Sequence, residues 1–418
     1  MALDCDGDLE PVRKGLKLSR FQYYLGGLGS SAVAMGLQVV IFPWLVVGVL
    51  HESPDRVGFA QMAVMLPNLL LILLGGALSD NRHLGSYLFR LYLLYLLPFG
   101  MMFIVVNQGF LSYELLIIFG ASYGVITAFI QPARESLLSQ VASDDLQGAV
   151  VRTTMVQFAA QSLGYLSAGL FDRIGLSVLV VFQMLMFIVA GLFLRASQPA
   201  GEGLSKKGCQ RESQSIVAGL QAVWHHARLL PLMLLVSATG FLGFGVYLVA
   251  MPLMTREVYG QSAVFYAGLQ LSFTGGVLLA NVLYLRLRGG FRQPGRVLVI
   301  SLFSRGLIML LIATHLPVSL LFPAVMVWGM FSGISISLGR MMTHTEAPEA
   351  YRSRVVSIYQ LAFFGTAPIG AWVTGQLITA QGVLETFAGL GATTLLVASL
   401  GVFSQLWRAP VGRQAKQP

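Results

Sequence analysis

Long apolar stretches separated by short polar ones run through the whole chain. Twelve of these stretches carry few charged side chains and are roughly as long as the 20 or so residues that a helix needs to cross a bilayer. Hydrophobic and polar residues do not alternate within them, as they would in a membrane barrel, so helices are predicted. The predicted spans are 21–49, 57–79, 86–106, 112–133, 150–171, 175–195, 230–254, 264–285, 296–314, 318–340, 354–377 and 383–406.

The longest polar gap divides the spans into two sets of six. The sequence VASDDLQGAVVR at 141–152 and the sequence EAPEAYRSRVVS at 346–357 each lead into a span with polar residues on an apolar background. A six-plus-six repeat is typical of transporters built from two packed halves. We therefore expect an all-α integral membrane protein made of two pseudo-symmetric six-helix bundles. The predicted divisions are a tail at 1–20, an N-terminal half at 21–195, a central loop at 196–229, a C-terminal half at 230–406 and a tail at 407–418.

Composition supports a membrane protein, and the basic residues indicate its orientation. Hydrophobic residues make up 56% of the 418 residues and charged residues 11%, whereas a soluble domain carries about 25% charged residues. The net charge of +9 comes from the loops, so it predicts topology rather than nucleic-acid binding. With both termini in the cytoplasm, only Arg56, Arg173 and Arg256 of the 27 basic residues fall on the opposite side. Cytoplasmic loops are rich in Lys and Arg, so this orientation is predicted.

The sequence predicts no enzyme, cofactor or metal site. Cys5 and Cys209 lie far apart in segments assigned to the cytoplasm, so neither a disulfide nor a metal site is expected. The chain lacks a Walker lysine motif, and ATP hydrolysis is therefore not expected. His225 and His226 are adjacent, and adjacent histidines point in different directions on a helix. We expect a monomer whose partners are a small-molecule substrate and the lipid bilayer.

The stretch 70–85 joins spans 2 and 3 and carries a recognisable motif. Together with the twelve spans and the two halves, this stretch makes the chain resemble the major facilitator superfamily. The signature of that family in the loop between spans 2 and 3 is a glycine, three variable residues, an aspartate, basic residues and a glycine. Gly76 and Asp80 match this signature, whereas Asn81 replaces the usual basic residue. The resemblance implies that this loop latches the two halves together on the cytoplasmic side.

Together, the loop and the end of span 4 predict a cytoplasmic gate. Asp80 ends span 2, and Arg134 with Glu135 ends span 4. A cluster of Asp80, Arg82, Arg134 and the first turn of span 11 would hold the inner side closed, and Gly76 would allow a close helix approach. The positive end of the span 11 helix dipole would attract Asp80. The alternative is a plain polar loop between two spans.

Within the superfamily, the chain looks most like the drug and siderophore exporter branch, which includes enterobactin and macrolide exporters. This resemblance rests on QPARESLL at 131–138, YRSRV at 351–355 and FPWL at 42–45. It implies a secondary active transporter of a bacterial inner membrane that exports a small amphipathic molecule, either drug-like or a siderophore, by alternating access. The alternatives are a transporter of lysophospholipid or other lipids and a transport-inactive membrane sensor.

Polar residues on spans 1, 4, 7 and 10 are the candidate substrate ligands, because these spans line the cavity of the fold that the chain resembles. Small hydroxyls, amides and aromatic rings suit a neutral or amphipathic solute. The alternative for the serines is that they only let helices pack closely. The candidates are Ser30, Ser31, Gln38, Tyr123, Thr127, Gln131, Thr239, Tyr247, Ser332 and Ser335.

Charged residues inside the spans are scarce. All 18 Asp and Glu fall in tails, in loops or near span ends. The alternatives for coupling are therefore protons through Glu135, another ion, or no coupling ion. Arg305 lies nine residues beyond Arg296, about 13 Å into the membrane at about 1.5 Å per residue. An intramembrane charge is a candidate functional site. The alternative is that span 9 begins later and Arg305 snorkels to the cytoplasmic interface.

Overall fold

The computed structural model describes residues 19–79, 83–142, 146–198, 221, 223–286, 291, 293–347 and 352–408. Most of these residues lie in twelve long helical elements. No strand occurs in these residues, as the all-α prediction requires. The elements are α1 (Arg20–Val49), α2 (Pro54–Ser79), α3 (Leu84–Gln108), α4 (Tyr113–Val141), α5 (Leu146–Ala168), α6 (Leu176–Ala196), α7 (Leu229–Val258), α8 (Ala263–Arg286), α9 (Pro294–Ala313), α10 (Val318–Glu346), α11 (Arg352–Phe364 and Ala367–Gln381) and α12 (Val383–Val402).

Ten stretches in the described residues are long and apolar enough to cross a membrane. They correspond to every predicted span except the second and fifth. Helices α2 and α5 occupy those two positions, but they are not among the ten. The structure therefore confirms the helical fold class, and its count of membrane spans is close to the predicted twelve without matching it.

Local sequence signals account for where several helices begin and end. Ser19 caps α1: its hydroxyl accepts from the Gln22 amide at 3.2 Å, and the Gln22 side chain accepts from the Ser19 amide at 2.7 Å. Gly109 ends α3 with a positive φ of 73°, a conformation that glycine adopts without strain. Gly382, with φ 94°, is the whole connection between α11 and α12. Short connections of this kind make consecutive helices antiparallel neighbours.

Helices α1 and α7 both contain π-helical turns. In α1 the turn is Leu45–Val49, and in α7 the turns are Thr239–Gly243, Val246–Ala250 and Met254–Val258. A π turn breaks the regular register of backbone hydrogen bonds, and such turns occur frequently at functional sites. Among the described residues, the π turns therefore lie in the first helix of each set.

Three kinds of helix pair recur in the two sets of six helices. In the first set α1 packs on α5, α2 on α4, and α3 on α6; in the second set α7 packs on α11, α8 on α10, and α9 on α12. Glycines allow the closest approaches: a Cβ on Gly36 or on Gly164 would collide with backbone of the facing helix in the α1–α5 pair. Leucines such as Leu97 and Leu396 are exposed on the outside, where lipid would surround them.

Candidate functional site

Helices from the two sets meet along one central interface. Helix α2 packs against the second segment of α11, and α8 packs against α5 and α1. Gly58 of α2 and Gly375 of α11 face each other so closely that a Cβ on Gly58 would lie 3.0 Å from the Gly375 Cα and 2.8 Å from the Ala371 carbonyl oxygen. Both positions therefore require glycine while the two helices stay in contact.

Hydrogen bonds join the two sets of helices at one end of the interface, which we call the outer end because the basic residues predict that it faces away from the cytoplasm. The Arg256 guanidinium in α7 donates to the Val47 carbonyl in α1. The Asp55 amide of α2 donates to the Thr379 hydroxyl of α11 at 3.0 Å. Asp55 precedes the predicted span 57–79. A hydrogen bond with the Ser53 side chain lowers the pKa of the Asp55 carboxyl, so this group stays charged. These contacts close the outer end.

The Arg256 contact has a specific backbone cause. The Leu45–Val49 turn of α1 is π-helical and lies at the C-terminal end of that helix. Carbonyl groups at a helix C-terminus lack intrahelical partners and carry the negative end of the helix dipole. A cation donating to the Val47 carbonyl is therefore favoured both by charge and by hydrogen bonding.

An aromatic and polar cluster lies deeper in the interface. The Trp44 ring of α1 stacks on the Tyr266 ring of α8 with centroids 6.5 Å apart, and the Gln270 amide donates to the Tyr266 hydroxyl at 2.8 Å. The Tyr165 hydroxyl of α5 lies near the side chains of Thr274 of α8 and Tyr247 of α7. Tyr247 was predicted as a substrate ligand, and it is half-buried here. The cluster brings polar groups of α1, α5, α7 and α8 together between the two sets of helices.

The structure places the predicted ligands on α1 inside the first helix set. The Gln38 side chain is buried, and its Oε1 accepts from Nε2 of Gln183 on α6 at 3.0 Å. Ser30 and Ser31 donate to backbone carbonyls of their own helix at 2.9 Å. These hydroxyls match the packing alternative, because their hydrogen-bonding groups are already used within α1.

The predicted ligands on α4 lie in an aromatic cluster of the first set. The Tyr123 ring packs on the Tyr95 ring of α3 at a centroid distance of 5.2 Å. The Thr127 hydroxyl pairs with the Tyr95 hydroxyl at 2.8 Å and donates to the Tyr123 carbonyl at 2.8 Å. Gln131, one turn further along α4, is half-buried. Tyr123 and Thr127 thus contact α3 rather than the second helix set.

The predicted ligands of the second set divide into partnered and unpartnered hydroxyls. Thr239 and Ser332 donate to backbone carbonyls of their own helices, at 2.9 Å and 2.8 Å. Ser335 is buried, and its hydroxyl has no hydrogen-bond partner among the described residues. Ser335 and Thr239 both line a small cavity between α7, α9, α10 and α11. These two residues are the predicted ligands that the structure brings together.

The predicted cytoplasmic gate is described only in part. Asp80 and Arg82 lie outside the described residues, and so do Cys5 and Cys209. Gly76 is in the last turn of α2, and Glu135 is exposed on α4. The cluster that includes Asp80 and Arg82 stays a prediction.

Arg134 is buried within the first helix set. Its guanidinium lies beside the Tyr92 hydroxyl of α3, and its backbone carbonyl accepts from the Tyr24 hydroxyl of α1 at 3.2 Å. The hydrogen bond from Tyr24 therefore joins this end of α4 to α1.

Arg305 lies in the interior of the second helix set. Helix α9 begins at Pro294, and the Arg305 side chain is only 4% exposed. It extends to α7, where Nη1 donates to the Thr239 hydroxyl at 3.4 Å. The snorkelling alternative is wrong for this structure, because the guanidinium turns toward α7 and not toward the end of α9.

Several polar residues of the interface are not among the predicted substrate ligands. Tyr165, Tyr266, Gln270 and Thr274 all lie on helices other than 1, 4, 7 and 10 of the chain. Their polar side chains inside apolar spans are nevertheless visible in the sequence. Polar residues are expensive when they face lipid, so each of these residues is a signal for an inward-facing helix side.

Three comparisons relate the chain to known proteins. A family model described as Major Facilitator Superfamily matches residues 25–371. The multidrug efflux pump Tap of Mycolicibacterium fortuitum is 22% identical over 387 residues, which are 88% of this chain and 91% of that protein. The crystal structure of the nucleoside transporter NupG superposes with a TM-score of 0.71 at 11% identity over 94% of this chain and 100% of that one. An auto-inhibited POT family peptide transporter gives a TM-score of 0.71 at 11% identity, over 96% and 98% of the two chains.

Proposed function

The chain belongs to the Major Facilitator Superfamily, and from this premise we propose that it exports small amphipathic organic molecules by secondary active transport. Membership makes it a multi-pass membrane transporter and not an enzyme. The finer proposal rests on one observation, the similarity to a multidrug efflux pump along 88% of this chain. That similarity favours drug-like cargo over the siderophore that the sequence motifs left open.

Chemistry at the interface supports an amphipathic cargo. The cluster of Trp44, Tyr165, Tyr247, Tyr266 and Gln270 offers aromatic faces, hydroxyls and an amide between the two sets of helices. Aromatic rings bind apolar surface and attract cations, while hydroxyls and amides bind polar ends. A molecule with both an apolar body and a polar end fits this combination.

The closed outer end supports transport by alternating access. The contacts from Arg256 to Val47 and from Asp55 to Thr379 join the two sets of helices. In the proposed cycle, the two six-helix halves rock about the central cavity, so these contacts break when the cavity opens outward and form again when it opens inward. The cluster of Asp80, Arg82 and Arg134 would form and break in the opposite phase.

Location and orientation follow from the same proposal. The proposed location is the inner membrane of a bacterium with both termini in the cytoplasm, and the distribution of the basic residues supports this orientation. At the predicted inner end, Arg228 forms an ion pair with Glu346 at 2.6 Å, and the Arg296 guanidinium donates to the Trp407 carbonyl at 2.7 Å. These arginines lie where anionic lipid headgroups of the inner leaflet would meet them.

Export is tested in a strain that lacks the gene, with and without the gene restored at a measured protein level. The assay follows the loss of a preloaded fluorescent amphiphile from energised cells. A catecholate siderophore, a hydroxamate siderophore and a lysophospholipid are tested in parallel. Faster loss of the amphiphile with the gene supports the proposal. Movement of the lysophospholipid alone would make the chain a lipid transporter, and equal export of every compound in both strains would overturn the export function.

A further inference from the structure

Arg305 is a buried cation with few partners. It lies eleven residues after Pro294, about 16 Å along α9 from its first residue at about 1.5 Å per residue. Its side chain is 4% exposed. A charge removed from water in this way is costly unless it is paired and hydrogen-bonded, so its partners need to be accounted for.

The described residues provide hydrogen-bond acceptors for few of the N–H groups of the Arg305 guanidinium. An arginine has five N–H donors, whereas here Nη1 makes one long hydrogen bond of 3.4 Å to Thr239, and Nε has no partner among the described residues. Gly243 of α7 has no Cβ, and Nη2 of Arg305 occupies the space that a Cβ at this position would need. The ion pairs in the described part of the chain are Arg56 with Glu52 and Arg228 with Glu346, both near helix ends.

A second unpaired polar group lies next to the same part of α7. Thr239, which accepts from Arg305, also lines the small cavity between α7, α9, α10 and α11. Ser335 lines this cavity too, and its buried hydroxyl has no partner among the described residues. Arg305 thus contacts Thr239 from α9, Ser335 shares the cavity with Thr239 from α10, and each of the two has an unsatisfied donor, Nε–H in Arg305 and O–H in Ser335. Both can donate to an anion.

The backbone at this point is adapted to the side chain. Thr239–Gly243 is a π-helical turn, and it contains both the residue that accepts from Arg305 and the glycine that makes room for it. Residues four apart share one side of a helix, so Thr239 and Gly243 both face α9. Together they give the Arg305 side chain an acceptor and the space for Nη2.

We propose that the second helix set holds an anion-binding site formed by Arg305, Thr239 and Ser335. Its ligand is a small monovalent anionic group, either a free inorganic anion such as chloride or the carboxylate of a transported molecule. The cavity has room for a group of about water size, so it takes the charged end of a ligand and not a whole drug-sized molecule. A free-anion ligand is independent of the cargo and of the direction of transport, whereas a carboxylate ligand rests on the proposed transport function.

Binding is measured on the purified full chain in detergent, by its thermal unfolding temperature at constant ionic strength. Sodium sulfate, whose divalent anion is not the monovalent ligand proposed, is replaced stepwise by sodium chloride, and in a second series by sodium acetate. An anion that binds only the folded chain raises the unfolding temperature in a saturable way. Saturation with chloride identifies a free inorganic anion as the ligand, and saturation with acetate alone identifies a carboxylate.

Three variants connect the effect to the site. Arg305→Gln should abolish the saturable rise, while Arg296→Gln, which removes the same charge from the surface end of α9, should keep it. Ser335→Ala should weaken anion binding about tenfold, the effect expected for one lost hydrogen bond to a charged group. If Arg305→Gln does not fold, the Ser335→Ala titration alone decides. No saturable rise in the unaltered chain, or an unchanged titration in both site variants, would overturn the proposal.

Discussion

The Arg256 guanidinium donates to the Val47 carbonyl and so joins α7 to α1 across the interface between the two sets of helices. Val47 lies in the π-helical end of α1, and Arg256 lies in the last π-helical turn of α7. The first helix of each half therefore uses an irregular end to reach its counterpart. This contact crosses the interface at the outer end, so it is broken if that end opens.

Arg256→Gln should shift the chain toward a conformation that is open at the outer end. Losing a hydrogen bond from a charged donor should change the ratio of open to closed molecules by about tenfold. The distance is measured between spin labels on Arg173→Cys and Gln261→Cys, with Cys5 and Cys209 changed to serine. We expect a longer and broader distance distribution in the variant.

Arg56→Gln is the matched control for this measurement. Arg56 is also an outer-end arginine, but its ion pair with Glu52, at 2.8 Å, lies within the first helix set. Its loss should leave the label distance unchanged. Equal lengthening in both variants would show that outer-end charge, and not the contact with Val47, sets the distance.

Gly58→Leu should abolish transport while the protein remains in the membrane. A Cβ on Gly58 already lies 2.8 Å from the Ala371 carbonyl oxygen, so a larger side chain prevents α2 and α11 from closing. Gly100→Leu is the control, because a Cβ on Gly100 meets nothing within 4 Å. Efflux is measured in cells with the two variants at equal protein levels. Normal efflux by Gly58→Leu would mean that the contact of Gly58 with α11 is dispensable.

Asp80→Asn should lower transport at an unchanged protein level. The predicted gate needs a carboxylate at the end of α2 to meet the buried Arg134 guanidinium at the inner end. The amide keeps the size of the side chain but loses its charge, which removes most of the attraction. Efflux is compared with that of Asp172→Asn, which changes an exposed carboxylate at the outer end. Unchanged efflux in Asp80→Asn would restore the plain-loop interpretation of this stretch.

The positions of the helices could be predicted from sequence because the bilayer fixes their length. About 20 apolar residues are needed whatever the neighbours are, and the predicted spans agree with the observed helices to within a few residues at most ends. Helix α4 is an exception, since it continues to Val141 beyond the predicted end at 133. Its last turns carry polar residues, which leave the hydrocarbon while the helix continues.

The direction in which each helix faces could not be predicted in the same way. Lipid is as apolar as the protein interior, so hydrophobic residues occur all round a membrane helix and their periodicity does not identify the buried face. Tyr123 illustrates the problem, because the sequence does not predict that its ring packs on Tyr95 of α3. Arg305 illustrates it too, because no residue pattern predicts its contact with Thr239 of α7.

The Gln38–Gln183 pair offers a test of this distinction between a structural and a substrate-binding side chain. Both amides are buried, and the Gln183 Nε2 group donates a hydrogen bond to Oε1 of Gln38. Gln38→Met should destabilise the protein by about 1–3 kcal/mol, because it leaves the Gln183 amide without one of its partners. Changing both residues to Met should recover most of this loss, because an apolar pair of similar shape leaves no unsatisfied group.

Gln108→Met, at an exposed position, is the control. Unfolding temperature and efflux are measured for these three variants and for the unaltered chain. If the structural assignment is correct, the double variant regains both stability and efflux. A double variant that is stable but transports no better than Gln38→Met would make Gln38 a substrate ligand instead.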